Sequence, residues 1–271
     1  MPNTNPPRLI DLPARPSRAA VKALLDDRWQ RYEKPEFIAE DPIAIPRSMH
    51  AKEDQEIAGF LVATIAWGNR RSILTNAHSL VERMDGRPHS FISSASDAEL
   101  RRLEGFVHRT FNDTDLLYFT AALKRIYTVH GGLESVFSDG FRMDGTASAA
   151  IAHFNDVFFG AEHPERTRKH VADPRKGSSA KRINMFLRWM ARPSDKGVDL
   201  GIWTRIPTAR LELPLDVHTG NVARRLGLLT RKQNDRKAVE EVMAHLRKFD
   251  PVDPVKYDFA LFGIGVYEKL L

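Results

Sequence analysis

Apolar residues recur at three- and four-residue intervals along most of this chain, and that pattern constrains its fold more than any other feature. Over 180–190, Ile183, Phe186, Leu187 and Met190 fall at i, i+3, i+4 and i+7. Val239, Val242, Met243 and Leu246 repeat the spacing over 236–246, and Val21, Leu24 and Leu25 share one face over 17–29. The stretch 54–67 is more thoroughly apolar, with Ile57, Phe60, Leu61, Thr64 and Ile65, as befits a helix at the centre of a fold. The same reading predicts helices over 71–84, 97–107, 114–129, 147–159, 219–226 and about 254–270. Loops are expected near 85–96, 130–146, 160–179, 192–214 and 227–235, where Gly, Pro, Ser and charges gather. No alternating run is long enough to make a strand, and no repeat of solenoid period is present. The expected fold class is all-α.

With 271 residues the chain can bury one large core or two intimate helical subdomains. The proline-rich start reads as a flexible N-terminal arm over 1–16, and 17–271 as a helical domain. That start lacks the apolar core of a secretory signal, and no stretch approaches the ~18–20 apolar residues that span a bilayer. Cysteine is absent, which removes disulfides, thiol nucleophiles, Cys-ligated zinc and iron–sulfur clusters together. A cytoplasmic location follows as the expectation, with a mean hydropathy of −0.39.

A net charge of +6 and a pI near 9.6 favour polyanionic partners, nucleic acid above all. The excess is concentrated. Residues 166–182 carry Arg166, Arg168, Lys169, Arg175, Lys176, Lys181 and Arg182 against Asp173. Residues 221–237 carry Arg224, Arg225, Arg231, Lys232, Arg236 and Lys237 against Asp235. A solvated face is the ordinary reading of either run alone, but both flank the segment that carries chemistry.

That segment runs from Asp173 to Arg225. Pro174-Arg175-Lys176-Gly177-Ser178-Ser179-Ala180-Lys181 is a tight turn feeding an amphipathic helix, and such turns present backbone N–H groups to a phosphate. Lys181 stands in the first turn, where Arg182, Lys176 and the positive end of the helix dipole are expected to disfavour its ammonium form, as a nucleophilic amine requires. Leu213-Pro214-Leu215-Asp216-Val217-His218 places Asp216 where a helix N-cap would stand. Such a carboxylate also suits an oxocarbenium-like sugar or the proton of the lysine. Taken singly, a surface lysine and a capping aspartate account for both residues.

Gly177 to Lys181, then Met190, then Pro214 to His218, together resemble the helix–hairpin–helix DNA glycosylase superfamily, in particular the 8-oxoguanine glycosylases including the archaeal type. The whole chain is also similar to an uncharacterised bacterial family related to them. The resemblance implies a hairpin ending in the nucleophile Lys181 and a Pro-x-Asp-x-His segment carrying the catalytic Asp216, with His218 as loop support. It implies phosphate contacts from Arg175, Lys176, Gly177, Ser178, Ser179 and Arg182. Asn69 is the expected wedge at the end of the early helix, and Trp67 either stacks on a base or packs in the core. Asp258, Phe259 and Phe262 are similar to the family's last helix, which lines the base pocket. Two departures stand out: Ser179 replaces the second hairpin glycine, and Asp216 follows Lys181 by 35 positions, longer than in the compact members and closer to the archaeal form.

On this reading the chain is a monomeric DNA glycosylase and AP lyase acting on an oxidised purine in double-stranded DNA, without cofactor or metal. Two other readings remain open: a catalytically silent DNA-binding protein on the same scaffold, and a metal-dependent hydrolase built on Asp216 and His218.

Overall fold

Small polar side chains set most of the helix starts. The computed structural model describes residue 13 and residues 16–268; apart from Pro13 and Pro16, the arm expected over 1–16 lies outside them. Helix α1 (Arg18–Tyr32) starts at Ser17, whose Oγ accepts from the Ala20 N–H. After α2 (Ala44–Arg47) and α3 (Lys52–Ile65), α4 (Arg70–Arg83) is capped by Asn69. Next come α5 (Pro88–Ser94) and α6 (Asp97–Leu100), the latter opened by a reciprocal Ser96–Glu99 capping box. Asn112 and Asp115 form a second such box at α7 (Asp113–Val129). Helices α8 (Leu133–Asp144), α9 (Ala147–Phe158) and α10 (Lys181–Ala191) follow. Asp216 and Asp235 cap α11 (Val217–Arg225) and α12 (Arg236–Phe249), and α13 (Tyr257–Tyr267) ends the described chain. Each side-chain cap contributes about 1 kcal/mol and fixes where its helix begins.

The core is organised on α3, whose residues from Glu56 to Ile65 are all buried. Phe60 meets Phe119 of α7, Phe154 and Phe158 of α9 and Phe186 of α10, with ring centroids 5.2 to 5.7 Å apart. Such pairs add about 0.5–1.5 kcal/mol each beyond the area they bury. Gly59 lets α10 approach: a Cβ there would lie 2.4 Å from Met190 Cε and 3.3 Å from the Phe186 ring. The two helices run antiparallel, because Arg182 at the other end of α10 donates to the carbonyl of Thr64. This docking sets the first turn of α10 beside the end of α3.

A second group forms as α13 packs on α1 and on α11. A chain of buried ion pairs joins the groups. Arg192 bonds Glu33, Asp199 and Asp253, while Arg188 bonds Asp199 and Asp258. Leaving any one of these buried charges without its partner would cost about 3–5 kcal/mol, so the network ties α10 to the ends of α1 and α13.

The fold is predominantly helical, as expected, with local corrections. The stretch 130–146 contains α8 rather than a loop: Gly131, Gly132 and Gly145, all at positive φ, bracket a helix that their turn-like composition hides. Likewise 85–96 contains α5. The helix expected over 97–107 stops at Leu100, and the chain passes through a short 3₁₀ turn into a two-stranded hairpin, β1 (Val107–His108) and β2 (Phe111–Asn112). Two residues per strand are too few for alternation to register in the sequence. The early helix ends at Ile65, so Trp67 and Asn69 lie in the connection to α4. Among the described residues no helix is long and apolar enough to cross a membrane.

Candidate active site

The turn before α10 uses two left-handed residues. Pro174–Lys176 forms a 3₁₀ turn closed by Gly177 at φ +82°, and Ala180 at φ +48° redirects the chain into the helix. The second strained position is therefore Ala180, and Ser179 needs no glycine-like conformation. Ala180 is buried, so packing holds its backbone in a conformation that costs a non-glycine residue about 1–3 kcal/mol. Ser178 Oγ accepts from the Ala180 N–H, and Asn184 donates to the Ser179 carbonyl. The first-turn N–H groups of α10 have no acceptor within the helix, and this end faces the groove described below.

Lys181 Nζ lies 3.4 Å from Asp216 Oδ2, across the gap between α10 and α11. The two roles available to Asp216 are divided between its oxygens. Oδ1 accepts from the Thr219 N–H at 2.8 Å and the Thr219 hydroxyl at 2.9 Å, while Oδ2 faces the lysine. Capping thus orients the carboxylate instead of competing with its second role. Its side chain is 13% exposed and that of Lys181 39%, so the ammonium is reached from solvent and the carboxylate is sheltered.

The pair opens into a cavity of about 460 Å³ between α10 and the α1–α11–α13 group. Trp67, Asp258, Phe259, Phe262 and His218 all line it, together with Lys181 and Asp216. Tyr32, Asp41, Arg70, Met185 and Arg188 line it too, and the sequence reading missed them. Arg188 had a signal: it lies seven residues after Lys181, on the same helical face two turns on. Its guanidinium bonds Asp258 and stacks over Phe259 with Cζ 4.3 Å from the ring centroid. Burial pushes the Asp258 carboxyl up to about 6 against the pull of Arg188, and nearby Asp216 and Asp199 add to the rise. Desolvation also raises Asp41, opposed by the Ile43 N–H it accepts from and by Arg188 and Arg70. The cavity therefore joins aromatic faces to carboxyls that hold protons more tightly than usual.

A second hollow of about 500 Å³ adjoins the first and shares Ala66, Trp67 and Lys181 with it. Arg168, Lys169, Lys176, Ser178, Ser179 and Arg182 contribute to its walls. The two basic runs touch beside this hollow, where the Arg236 N–H donates to the Gly177 carbonyl at 3.0 Å, but no residue of the 221–237 run lines it. Much of their charge is engaged internally, however. Arg166 pairs with Asp115, Arg175 with Asp156 and Asp173, Arg231 with Asp235, and Arg236 with Glu212. Arg182 donates to the carbonyls of Thr64 and His170, so it fastens α10 to the core instead of reaching outward. Exposed Lys169 and Lys176 have no ion pair among the described residues.

The remaining expected site residues are placed as follows. Asn69 is exposed, and its Oδ1 accepts from the Ser72 N–H as the cap of α4. Trp67 stands in the wall between the two hollows, half-buried, with its indole Nε1 lacking a partner among the described residues. His218 is exposed on α11, its ring edge-on to Phe262 at 6.2 Å. Among the described residues no three His, Cys, Asp or Glu side chains come together to hold a metal, so the Asp216–His218 pair has no third ligand.

No curated protein and no solved structure matches the chain. The profile of a family described as "Protein of unknown function (DUF2400)" matches residues 41–267, a span that includes every residue of the Lys181–Asp216 site and most of the cavity wall. The chain belongs to the DUF2400 family.

Proposed function

We propose that this protein is a DNA base-excision glycosylase with associated AP-lyase activity, built on a helix–hairpin–helix glycosylase-like scaffold. Carrying the reading is the 3.4 Å approach of Lys181 Nζ to Asp216 Oδ2 at the meeting of a base-sized cavity and a basic groove. A nucleotide extruded from a duplex lying in the groove would place its base against Phe259, Phe262 and Trp67 and its sugar at Lys181. The Lys181 amine, after passing a proton toward Asp216, attacks C1′. The C1′–N-glycosidic bond breaks, and the departing base carries off the electron pair and takes up a proton. Asp216 balances the positive charge that develops on the sugar. Ring opening yields a Schiff base, from which β-elimination nicks the strand. An oxidised purine such as 8-oxoguanine is the proposed substrate, consistent with a cavity that offers both aromatic faces and polar edges.

Borohydride trapping on a duplex containing 8-oxoguanine tests this. Wild type should form a covalent adduct and Lys181→Gln none. A folded wild-type protein that traps on none of the common oxidised, alkylated or deaminated bases would overturn the catalytic claim.

A further inference from the structure

The hairpin that the sequence concealed brings an unassigned cation against Trp67, a wall residue of the site. Arg109 sits at the tip of β1–β2 at φ +57°, one of three non-glycine residues in the described chain with positive φ. Its side chain is exposed and makes no hydrogen bond or ion pair among the described residues. The guanidinium instead stacks on Trp67, with Cζ 4.7 Å from the ring centroid. That tryptophan is the wall shared by the cavity and the basic groove.

Three features hold Arg109 in this place. His108, buried beside it, bonds the Trp67 carbonyl through Nε2 at 3.2 Å and Asn76 through Nδ1 at 2.8 Å, which pins the hairpin to the Trp67 segment. Burial lowers the His108 pKa, which favours the neutral ring with one donor and one acceptor for these bonds. Gly68, at φ +106°, leaves room for the guanidinium: a Cβ there would lie 2.6 Å from Arg109 Nη1. The His108 bonds, the missing Gly68 side chain and the contact with Trp67 thus position a cation that nothing in the described chain neutralises.

We propose that Arg109 binds the phosphodiester of the strand that enters the cavity. Held over Trp67 without a hydrogen bond or ion pair among the described residues, the guanidinium keeps its N–H donors available for bidentate contact with a phosphate. The proposal rests on the glycosylase reading and adds a specific grip at the point where the strand leaves the groove.

Binding to a fluorescein-labelled duplex containing a tetrahydrofuran abasic-site analogue, followed by anisotropy from 50 to 200 mM salt, tests it. Loss of one phosphate contact lowers the magnitude of the log K against log salt slope by about 0.9. The ratio of wild-type to Arg109→Ala affinity should therefore fall about threefold across that range, and Arg109→Lys should restore the slope. Equal slopes for wild type and Arg109→Ala would overturn the proposal while leaving the glycosylase reading intact. So would a loss that depends on the base opposite the analogue at unchanged slope, since Arg109 would then read a base. A wild type that binds no duplex at all would overturn both.

Discussion

Replacing Asp258 by asparagine isolates the one cavity carboxyl whose proton affinity is most clearly raised. Burial sets Asp258 near 6, against 3.8 for an ordinary aspartate, and Arg188 offsets only part of that rise. Between these two values the folded protein holds a proton that the unfolded chain has released. Stability therefore falls as pH climbs through this window, and the contribution is complete only below about pH 4. A shift of roughly two pKa units at 1.36 kcal/mol per unit corresponds to about 3 kcal/mol. The amide of Asp258→Asn keeps the shape and an oxygen acceptor for Arg188 but cannot ionise. Wild type should thus lose about 3 kcal/mol relative to Asp258→Asn on going from pH 4 to pH 7. Urea unfolding of both proteins at each pH measures the difference, in which the other carboxylates cancel to first order. The sign at any single pH also contains the altered pairing of Arg188, so the reasoning rests on the slope. A pH-independent difference, or one in which the variant loses ground as pH rises, would refute it.

Asp216→Asn should retain the acceptor for the Thr219 N–H while removing the charge that faces Lys181. Adduct formation is expected to drop about 10²-fold or more with stability near wild type, whereas Asp216→Ala should also cost about 1 kcal/mol through the lost cap. Equal activity in Asp216→Asn and wild type would remove the carboxylate from the chemistry. Gly140→Ala would place a Cβ 2.6 Å from the backbone Cα of Ala150, where α8 packs on α9. Overpacking of this kind costs about 1–3 kcal/mol, and a variant with an unchanged urea midpoint would show that the two helices can part freely.

The helical class and most helix positions were legible because amphipathic spacing is a local property. The predicted and observed helices at 236, 114 and 147 begin within a residue of each other, where Asp235, Asn112 and Thr146 act as caps. Asp216 was legible as a cap for the same reason, since its acceptor geometry involves only the next three residues. The order of motifs links Lys181 to Asp216 in the sequence, and the 3.4 Å between them comes from the fold. Where local composition was ambiguous, the reading failed. Glycines at both ends disguised α8, and the four residues of β1 and β2 gave no period to detect.

What the sequence determined by itself was thus the helical class, most of the longer helices, and the presence of a lysine and a capping aspartate at helix starts. Only the tertiary structure decided which charges face outward. Arg182, Arg175 and Arg236 looked alike in sequence, yet one fastens α10 to α3 and the others pair with carboxylates from distant segments. It likewise selected Arg188 and Arg109 from among 41 basic residues, one buried against Asp258 and one stacked on Trp67. The physical reason is common to both. Capping and amphipathicity are settled within a few residues, whereas a charge acquires its role from partners that only the packing of helices brings within reach.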